Sequence, residues 1–432
     1  MGLARALAAA GASATVLSLA SPEAAGGVPG LARRLRTVKV HVAHGARDGE
    51  GVAGSSTRDV ALFEGKAPLS QAHLMVAGAQ GRDRGESAIL LAEAARALAD
   101  DGLLKTDLTI AWGETAALAL SVVPAVARVF VLPSGRVGGP LSDAEAAAVA
   151  SVGIASAGVA GPSLAAIGAA FANAIVAPSA SAARLLESDR GIADRASDEP
   201  LVALRFGCDD PPHDPATDPA LPANYSAKSL TGKLECRRAV TRRYSLALGP
   251  RTLLLGTASL RHGKGGDELL AALSALAKLD AAILIPSGGD PDLLERARRL
   301  AIQSPGRLAV LDSGDAQERV LRAAADAMLC VDTDDRTARA SGLAQRYGAL
   351  PIAFDGGASR DFLVDYHSGS ATGSAILYGS LDTYEIEAAV RRAVALRAAA
   401  DEFAPVVQRA METAPRWAVT AAAIEELCAG FS

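Results

Sequence analysis

Aromatic side chains are scarce, at 4 % of 432 residues with only two Trp, so any surface that holds a ring-shaped ligand by stacking rests on very few positions. Cysteine is scarcer still. Cys208, Cys236, Cys330 and Cys428 stand far apart with no Cys-x-x-Cys spacing, which argues against a disulfide framework or a zinc site and fits a reducing compartment. The six histidines also lack metal spacing; His41 and His44 are three apart with no third ligand nearby. No apolar run reaches the roughly 18 residues of a membrane helix. The formal net charge is -5 and is spread without long runs, which argues against nucleic acid and membrane surfaces as partners.

Half the residues are hydrophobic and 21 % are charged, enough apolar surface for a sizeable core in two or three domains of about 150 residues each. Arg5 and the Ala-rich stretch to Ala20 weakly mimic a signal peptide, but Gly11, Ser13 and Thr15 interrupt it. Met1–Gly11 is therefore expected as an extra helix or ragged start, in a cytoplasmic protein.

Short apolar runs alternate with longer amphipathic stretches, the pattern of doubly wound parallel sheets and an α/β class. In the first half the expected strands are Thr15–Ala20, Val38–Val42, Leu108–Trp112, Val129–Leu132 and Ile175–Ala177. The expected helices are Ser87–Ala99, Thr115–Val122, Ser163–Phe171 and Ala180–Leu186, with a β excursion at Thr57–Pro68 and a glycine-rich loop at Gly78–Gly85. In the second half, strands Leu253–Thr257, Ala282–Ile285, Leu308–Leu311, Ala327–Val331 and Pro351–Phe354 alternate with helices Asp267–Ala277, Pro291–Ile302, Ala316–Ala325 and Arg339–Tyr347. Tyr384–Ala400 is expected as a further helix.

Between the halves lies Asp214–Lys233, DPATDPALPANYSAKSLTGK, whose Pro, Asp, Asn and Ser content marks a loop. Its order of residues closely resembles the segment joining the two domains of bacterial glycogen synthases and plant starch synthases. Phe206-Gly207-Cys208-Asp209 takes the place of that family's Asn-Gly-Ile-Asp. Ser259-Leu260-Arg261-His262-Gly263-Lys264-Gly265 takes the place of its Arg-Leu-x-x-Gln-Lys-Gly turn. Ser287-Gly288-Gly289-Asp290, Pro305-Gly306-Arg307, Arg346-Tyr347-Gly348-Ala349-Leu350-Pro351 and Asp355-Gly356-Gly357 match later turns in order, and Trp417 opens a last helix.

The resemblance implies a GT-B fold with two facing Rossmann-like domains: residues 1–240 on the acceptor side, 250–410 on the nucleotide-sugar side, and 411–432 as a helix crossing back. It implies transfer of glucose from ADP-glucose to an α-1,4-glucan with retention of configuration and neither metal nor other cofactor. Charge developing on the leaving diphosphate must then be met by cations and backbone amides.

Residue by residue, the resemblance makes Lys264 the phosphate-contacting lysine, the alternative being a solvated lysine in a Gly-rich turn. Gly356 and Gly357 are the glycines that let amides approach a phosphate, or else a plain strand-to-helix turn. Asp335 falls on the donor-binding glutamate, one methylene shorter, or is merely part of an acidic turn. With Lys264 it forms the expected catalytic pair.

Other positions have changed. Ser259 replaces a clamp arginine, with Arg261 two residues along as a partial substitute. Asp355 replaces a threonine, and a carboxylate there repels a diphosphate. In the first half, Ala24-Ala25-Gly26-Gly27-Val28 matches a Lys-Thr-Gly-Gly-Leu loop without its lysine, leaving Gly26 and Gly27. Trp112-Gly113-Glu114-Thr115 replaces His-Asp-Trp, and Pro133-Ser134 replaces His-Asn. Trp112 is the stacking candidate and Glu114 the stand-in carboxylate on the acceptor side.

Three readings follow. One is a glycogen-synthase-type glucosyltransferase with much weakened or lost activity. Another is a non-catalytic homologue that binds or regulates, with an active synthase as a partner. The third is a transferase for another nucleotide sugar using Arg261 and Glu114.

Overall fold

Two kinds of strand sequence occur in the chain, and they build different sheets. The computed structural model describes all residues except 27–30, 45–53, 66–72, 79–80, 82, 152, 154–162, 197–200, 332–335, 369–371 and 432. The chain divides into two compact units, Met1–Leu204 with Ala418–Ser432, and Arg205–Trp417. A helix, Gly2–Ala9, precedes the first strand.

In the first unit, β1 (Thr15–Ala20), β2 (Ala32–His44), β3 (Gly54–Gly65) and β4 (His73–Gly78) form a sheet ordered β1-β4-β3-β2. Only β1 and β4 run parallel; β2–β3 and β3–β4 are antiparallel. The expected Val38–Val42 is part of a 13-residue strand that forms a long ribbon with β3, so this sheet is mixed rather than parallel. The sequence reading also lacked β4. Met75 and Ala77 pack on one face with Leu62, Leu90 and Leu98, while Leu74 and Val76 pack on the other with Phe63 and Ala25. A strand buried on both faces shows no alternation to detect.

A second sheet in this unit joins β5 (Leu108–Trp112), β6 (Ala127–Val131), β7 (Ala174–Ala177) and β8 (Leu201–Ala203), all parallel in that order. The helices Leu164–Phe171 and Ala180–Leu186 begin where Ser163 and Ser179 each accept an amide N–H at 3.0 Å. The expected helix Thr115–Val122 is instead a 3₁₀ turn, Glu114–Ala116, followed by a four-residue helix, Ala119–Val122. Pro124 is one reason it stays short: its fixed ring cannot continue a helix.

The second unit holds β9 (Leu253–Thr257), β10 (Ala281–Ile285), β11 (Leu308–Val310), β12 (Ala327–Cys330), β13 (Leu350–Phe354) and β14 (Ile376–Tyr378). All pairings are parallel, ordered β11-β10-β9-β12-β13-β14. Read within the unit, that is third-second-first-fourth-fifth-sixth, the order of a Rossmann-type sheet. Every residue of β9, β10 and β12 is buried, as covering helices on both faces require. The order reverses between β9 and β12, so the crevice at their carboxyl ends is where this topology places ligands.

The Asp214–Lys233 segment, expected as loop but with its last three residues opening a helix, Thr231–Arg243, is bolted to this unit. Asp218 is fully buried and accepts from Arg319 Nε at 3.0 and 3.2 Å, from the Tyr347 hydroxyl at 2.6 Å and from the Ala220 amide at 2.9 Å. Lys233 Nζ donates to the carbonyls of Ala323, Ala325 and Tyr347 at 3.0, 2.7 and 3.1 Å. At the far end of the unit, Trp417 stacks on Phe206 with ring centroids 6.2 Å apart, and its amide donates to Asp209 at 2.7 Å.

Candidate functional site

The turn after β9 lies at the strand reversal. Ala258 N–H donates to Leu329 O of β12 at 2.9 Å, tying its start to the neighbouring strand. Its end is seated just as closely. Gly265 has φ +79°, and a Cβ there would lie 2.5 Å from Val331 O and 2.8 Å from Val331 Cβ. Only glycine meets both the left-handed backbone and that contact. The amides of Lys264 and Gly266 both donate to Arg261 O, at 3.2 and 3.1 Å, closing the turn on itself. Lys264 is half-buried there and Arg261 is exposed.

The next turn, after β10, is laced to the first. Asp290 N–H donates to Leu260 O at 2.8 Å, and Gly289 passes so close that a Cβ would lie 2.3 Å from that oxygen. Gly288 is flanked by a hydroxyl and a carboxylate: a Cβ at this position would stand 3.5 Å from Ser259 Oγ and 3.7 Å from Glu318 Oε1. Glu318 also pairs with Arg322 at 3.0 Å.

After β13, Gly356 and Gly357 lead into a helix, Gly357–Phe362, with Gly357 at φ +53°. The helix has six residues, so its field is short. The carboxylate of Asp355 accepts from Arg360 Nε at 3.1 Å, and its carbonyl from Arg360 Nη2 at 2.8 Å. The negative charge expected to repel a phosphate is therefore partly compensated by a cation five residues on. Lys264 and Arg261 after β9, and Gly356 and Gly357 after β13, thus share the carboxyl edge of one sheet, on the two strands that flank β12. Asp335, expected after β12, lies outside the described residues, as does Gly27; Gly26 is the last residue of the helix Pro22–Gly26.

In the first unit, Trp112 ends β5 and is 40 % exposed. Gly113 turns the chain at φ +78°. Glu114 is half-buried and accepts the Gly138 amide at 2.7 Å. Arg84 anchors the same loop by donating to the carbonyls of Gly139 and Pro140. One oxygen of Glu114 is therefore engaged in holding the loop after β6.

The sequence reading missed His262 and its carboxylate neighbours Asp267, Asp290 and Asp292, Glu318 near Gly288, and Arg360 beside Asp355. Asp267 and Arg360 each stand five residues from the group they meet, whereas Asp290, Asp292 and Glu318 carry no local signal. Among the described residues, no group of three His, Cys, Asp or Glu side chains is arranged to hold a metal ion. No disulfide joins the four cysteines, and burial pushes the Cys208 thiol up to about 12, which leaves it inert. No described helix is long and apolar enough to cross a membrane.

No protein-family model matches the chain. Over its full length it is similar to the catalytic domain of starch synthase IV from Arabidopsis thaliana bound to ADP and acarbose, with TM-score 0.80, 17 % identity and 94 % of that chain covered. Sucrose-phosphate synthase from Thermosynechococcus elongatus gives TM-score 0.56 and 13 % identity, covering 98 % of this chain and 90 % of that one. The two-unit α/β architecture is that of the GT-B glycosyltransferases.

Among curated sequences, glycogen synthase of Acidiphilium cryptum is 30 % identical over 218 residues, covering 49 % of this chain and 45 % of the relative. Glycogen synthase of Anaeromyxobacter dehalogenans is 30 % identical over 271 residues, covering 60 % and 56 %. The chain is thus similar in sequence to glycogen synthases over about half to three fifths of its length, and in fold to a starch synthase catalytic domain. It spans about half the length of the curated relatives it matches.

Proposed function

We propose that the chain is a glycogen-synthase-type glucosyltransferase in which transfer of glucose from ADP-glucose to an α-1,4-glucan is much weakened or lost. The observation that carries this reading is Ser259 at the clamp position, with its hydroxyl and the Glu318 carboxylate each bordering Gly288. Where the resemblance places a guanidinium for the diphosphate, this chain has a hydroxyl, and a carboxylate borders the same glycine. Removing one stabiliser of developing charge costs roughly a hundredfold to a thousandfold in rate. Lys264 and the Gly356-Gly357 loop remain as a reduced donor site, with Asp335 as its acid and Arg261 as an exposed second cation. Gly26 and Gly27 of the first unit are assigned to nucleotide-sugar binding and Trp112 and Glu114 to the acceptor, and the hydrogen bond from Gly138 to Glu114 argues against that carboxylate being wholly available to substrate.

A second reading is a non-catalytic homologue that binds nucleotide or glucan, or an active synthase, in the cytoplasm. The Asp355–Arg360 pair favours it, because the local cation is committed to a protein carboxylate. Two measurements separate the readings: calorimetric titration with ADP and ADP-glucose, and incorporation of labelled glucose into glycogen with Asp335→Ala as control. Robust incorporation that vanishes in the control refutes the weakened-enzyme reading. Binding without incorporation supports the non-catalytic one.

A further inference from the structure

The turn that carries Lys264 also holds a histidine in unusual surroundings. Nδ1 of His262 lies 3.0 and 3.1 Å from the carboxylate oxygens of Asp267, and Nε2 lies 3.0 and 3.2 Å from those of Asp292. Its backbone amide donates to Asp290 Oδ2 at 2.7 Å. A neutral imidazole has one N–H donor, so one of its nitrogens would turn a lone pair toward a carboxylate. Only the imidazolium donates from both nitrogens. The geometry therefore suits the charged ring.

We propose that His262 is the positioning residue of the Lys264 turn, an imidazolium that staples the turn to the first residues of the two helices beside it and releases it when the proton leaves. The proposal rests on reading this turn as the donor-phosphate site. Asp267 stands in the first turn of the helix Gly266–Leu276, and Asp292 in that of Pro291–Gln303. With both ring N–H groups directed at carboxylates, His262 has none left for a ligand and acts through Lys264, two residues on.

The carboxylates in contact favour the proton: Asp267 from the helix Gly266–Leu276 and Asp292 from the helix Pro291–Gln303, with Asp290 of the turn after β10 at the His262 amide. Arg261 and Lys264 on the same turn oppose them. Hydrogen bonds to Asp267 and then Asp292 hold His262 above the ordinary histidine range. For Asp292, burial pushes upward, and the His262 hydrogen bond and charge together with backbone amides outweigh it, so its carboxyl lies below the ordinary range. A raised histidine contributes fully below its unfolded pKa, and the contribution fades as pH rises through the folded value. The staple therefore holds below the folded pKa of His262 and loosens as pH rises through it.

The test uses side-chain ¹⁵N spectra of the full chain across pH for wild type, Asp292→Asn and His262→Gln, with amide hydrogen exchange at Lys264 and Gly266. His262 should titrate above the ordinary histidine range, Asp292→Asn should bring its midpoint down, and His262→Gln should speed exchange of both amides below the wild-type midpoint. A His262 that titrates in the ordinary range and ignores Asp292→Asn overturns the staple, as does unchanged exchange in His262→Gln. Calorimetry with ADP on both sides of the His262 midpoint found in the spectra, from lower to higher pH, adds the functional arm. Affinity should fall several-fold in wild type, and this dependence should vanish in His262→Gln. A pH dependence that persists in His262→Gln overturns the positioning role. Absence of ADP binding at every pH refutes the donor-site reading instead, and the histidine spectra then judge the staple alone.

Discussion

Replacing Asp218 with Ala should destabilise the second unit more than any other single change in the Asp214–Lys233 loop. The carboxylate is fully buried and takes four hydrogen bonds: two contacts from Arg319 Nε, one from the Tyr347 hydroxyl and one from the Ala220 amide. Its loss leaves the Arg319 guanidinium, 9 % exposed, with Asp315 as its other carboxylate partner, whose side chain is 71 % exposed. Breaking a buried pair by removing one partner costs about 3–5 kcal/mol. Asp218→Asn keeps the shape and an acceptor, so its cost falls to about 1.5–3 kcal/mol, the worth of hydrogen bonds to a charged group. Tyr347→Phe removes one donor and costs about 1 kcal/mol. In a Trp112→Phe background, fluorescence of Trp417, which is 8 % exposed, reports on this unit during urea unfolding. If Asp218→Ala lies within about 1 kcal/mol of wild type, the ordinary range for a surface change, the bolt is decorative and the reasoning fails.

Lys264→Ala should weaken any ADP binding by about 1.5–3 kcal/mol, roughly tenfold to 150-fold, as measured by calorimetry; equal affinity in both proteins makes Lys264 a surface lysine. Gly265→Ala should cost about 2–4 kcal/mol, combining left-handed strain with overpacking against Val331. Gly263→Ala supplies the control, because Gly263 also has positive φ, at +62°, but no atom within 4 Å of the Cβ it would gain. Equal losses in the two variants would show that the Val331 contact contributes nothing.

The second unit was far more legible in the sequence than the first, and the reason is burial. Strands such as Leu253–Thr257 and Ala281–Ile285 are buried throughout, so they read as uninterrupted apolar runs between amphipathic helices. In the first unit the ribbon of β2 and β3 carries a mostly polar sequence, ARRLRTVKVHVAH on one strand, and only its middle resembled a strand. The short β14 was missed because three residues of pattern are too few to register.

Site chemistry divided along similar lines. The turns that carry Lys264 and Gly356-Gly357 were legible because each has its own glycine signature. His262 was not, since Asp267 is five residues away and Asp292 thirty, and only the fold brings both to one imidazole. The Asp214–Lys233 loop was legible by resemblance, but its composition suggested a connector. Asp218 and Lys233 make it part of the core, through partners about a hundred residues further along the chain.

Main chain rests on main chain at two points of the candidate site, Gly265 against Val331 O and Gly289 against Leu260 O. A seat made mostly of backbone depends little on which side chains surround it. The socket and its wiring are thus separate inheritances. Exchanging the side chains at Ser259, Asp355 or His262 leaves both glycine contacts in place. A chain built like this can change its chemistry while holding the backbone of its turns, and a charge placed at position 259 would find that backbone still there.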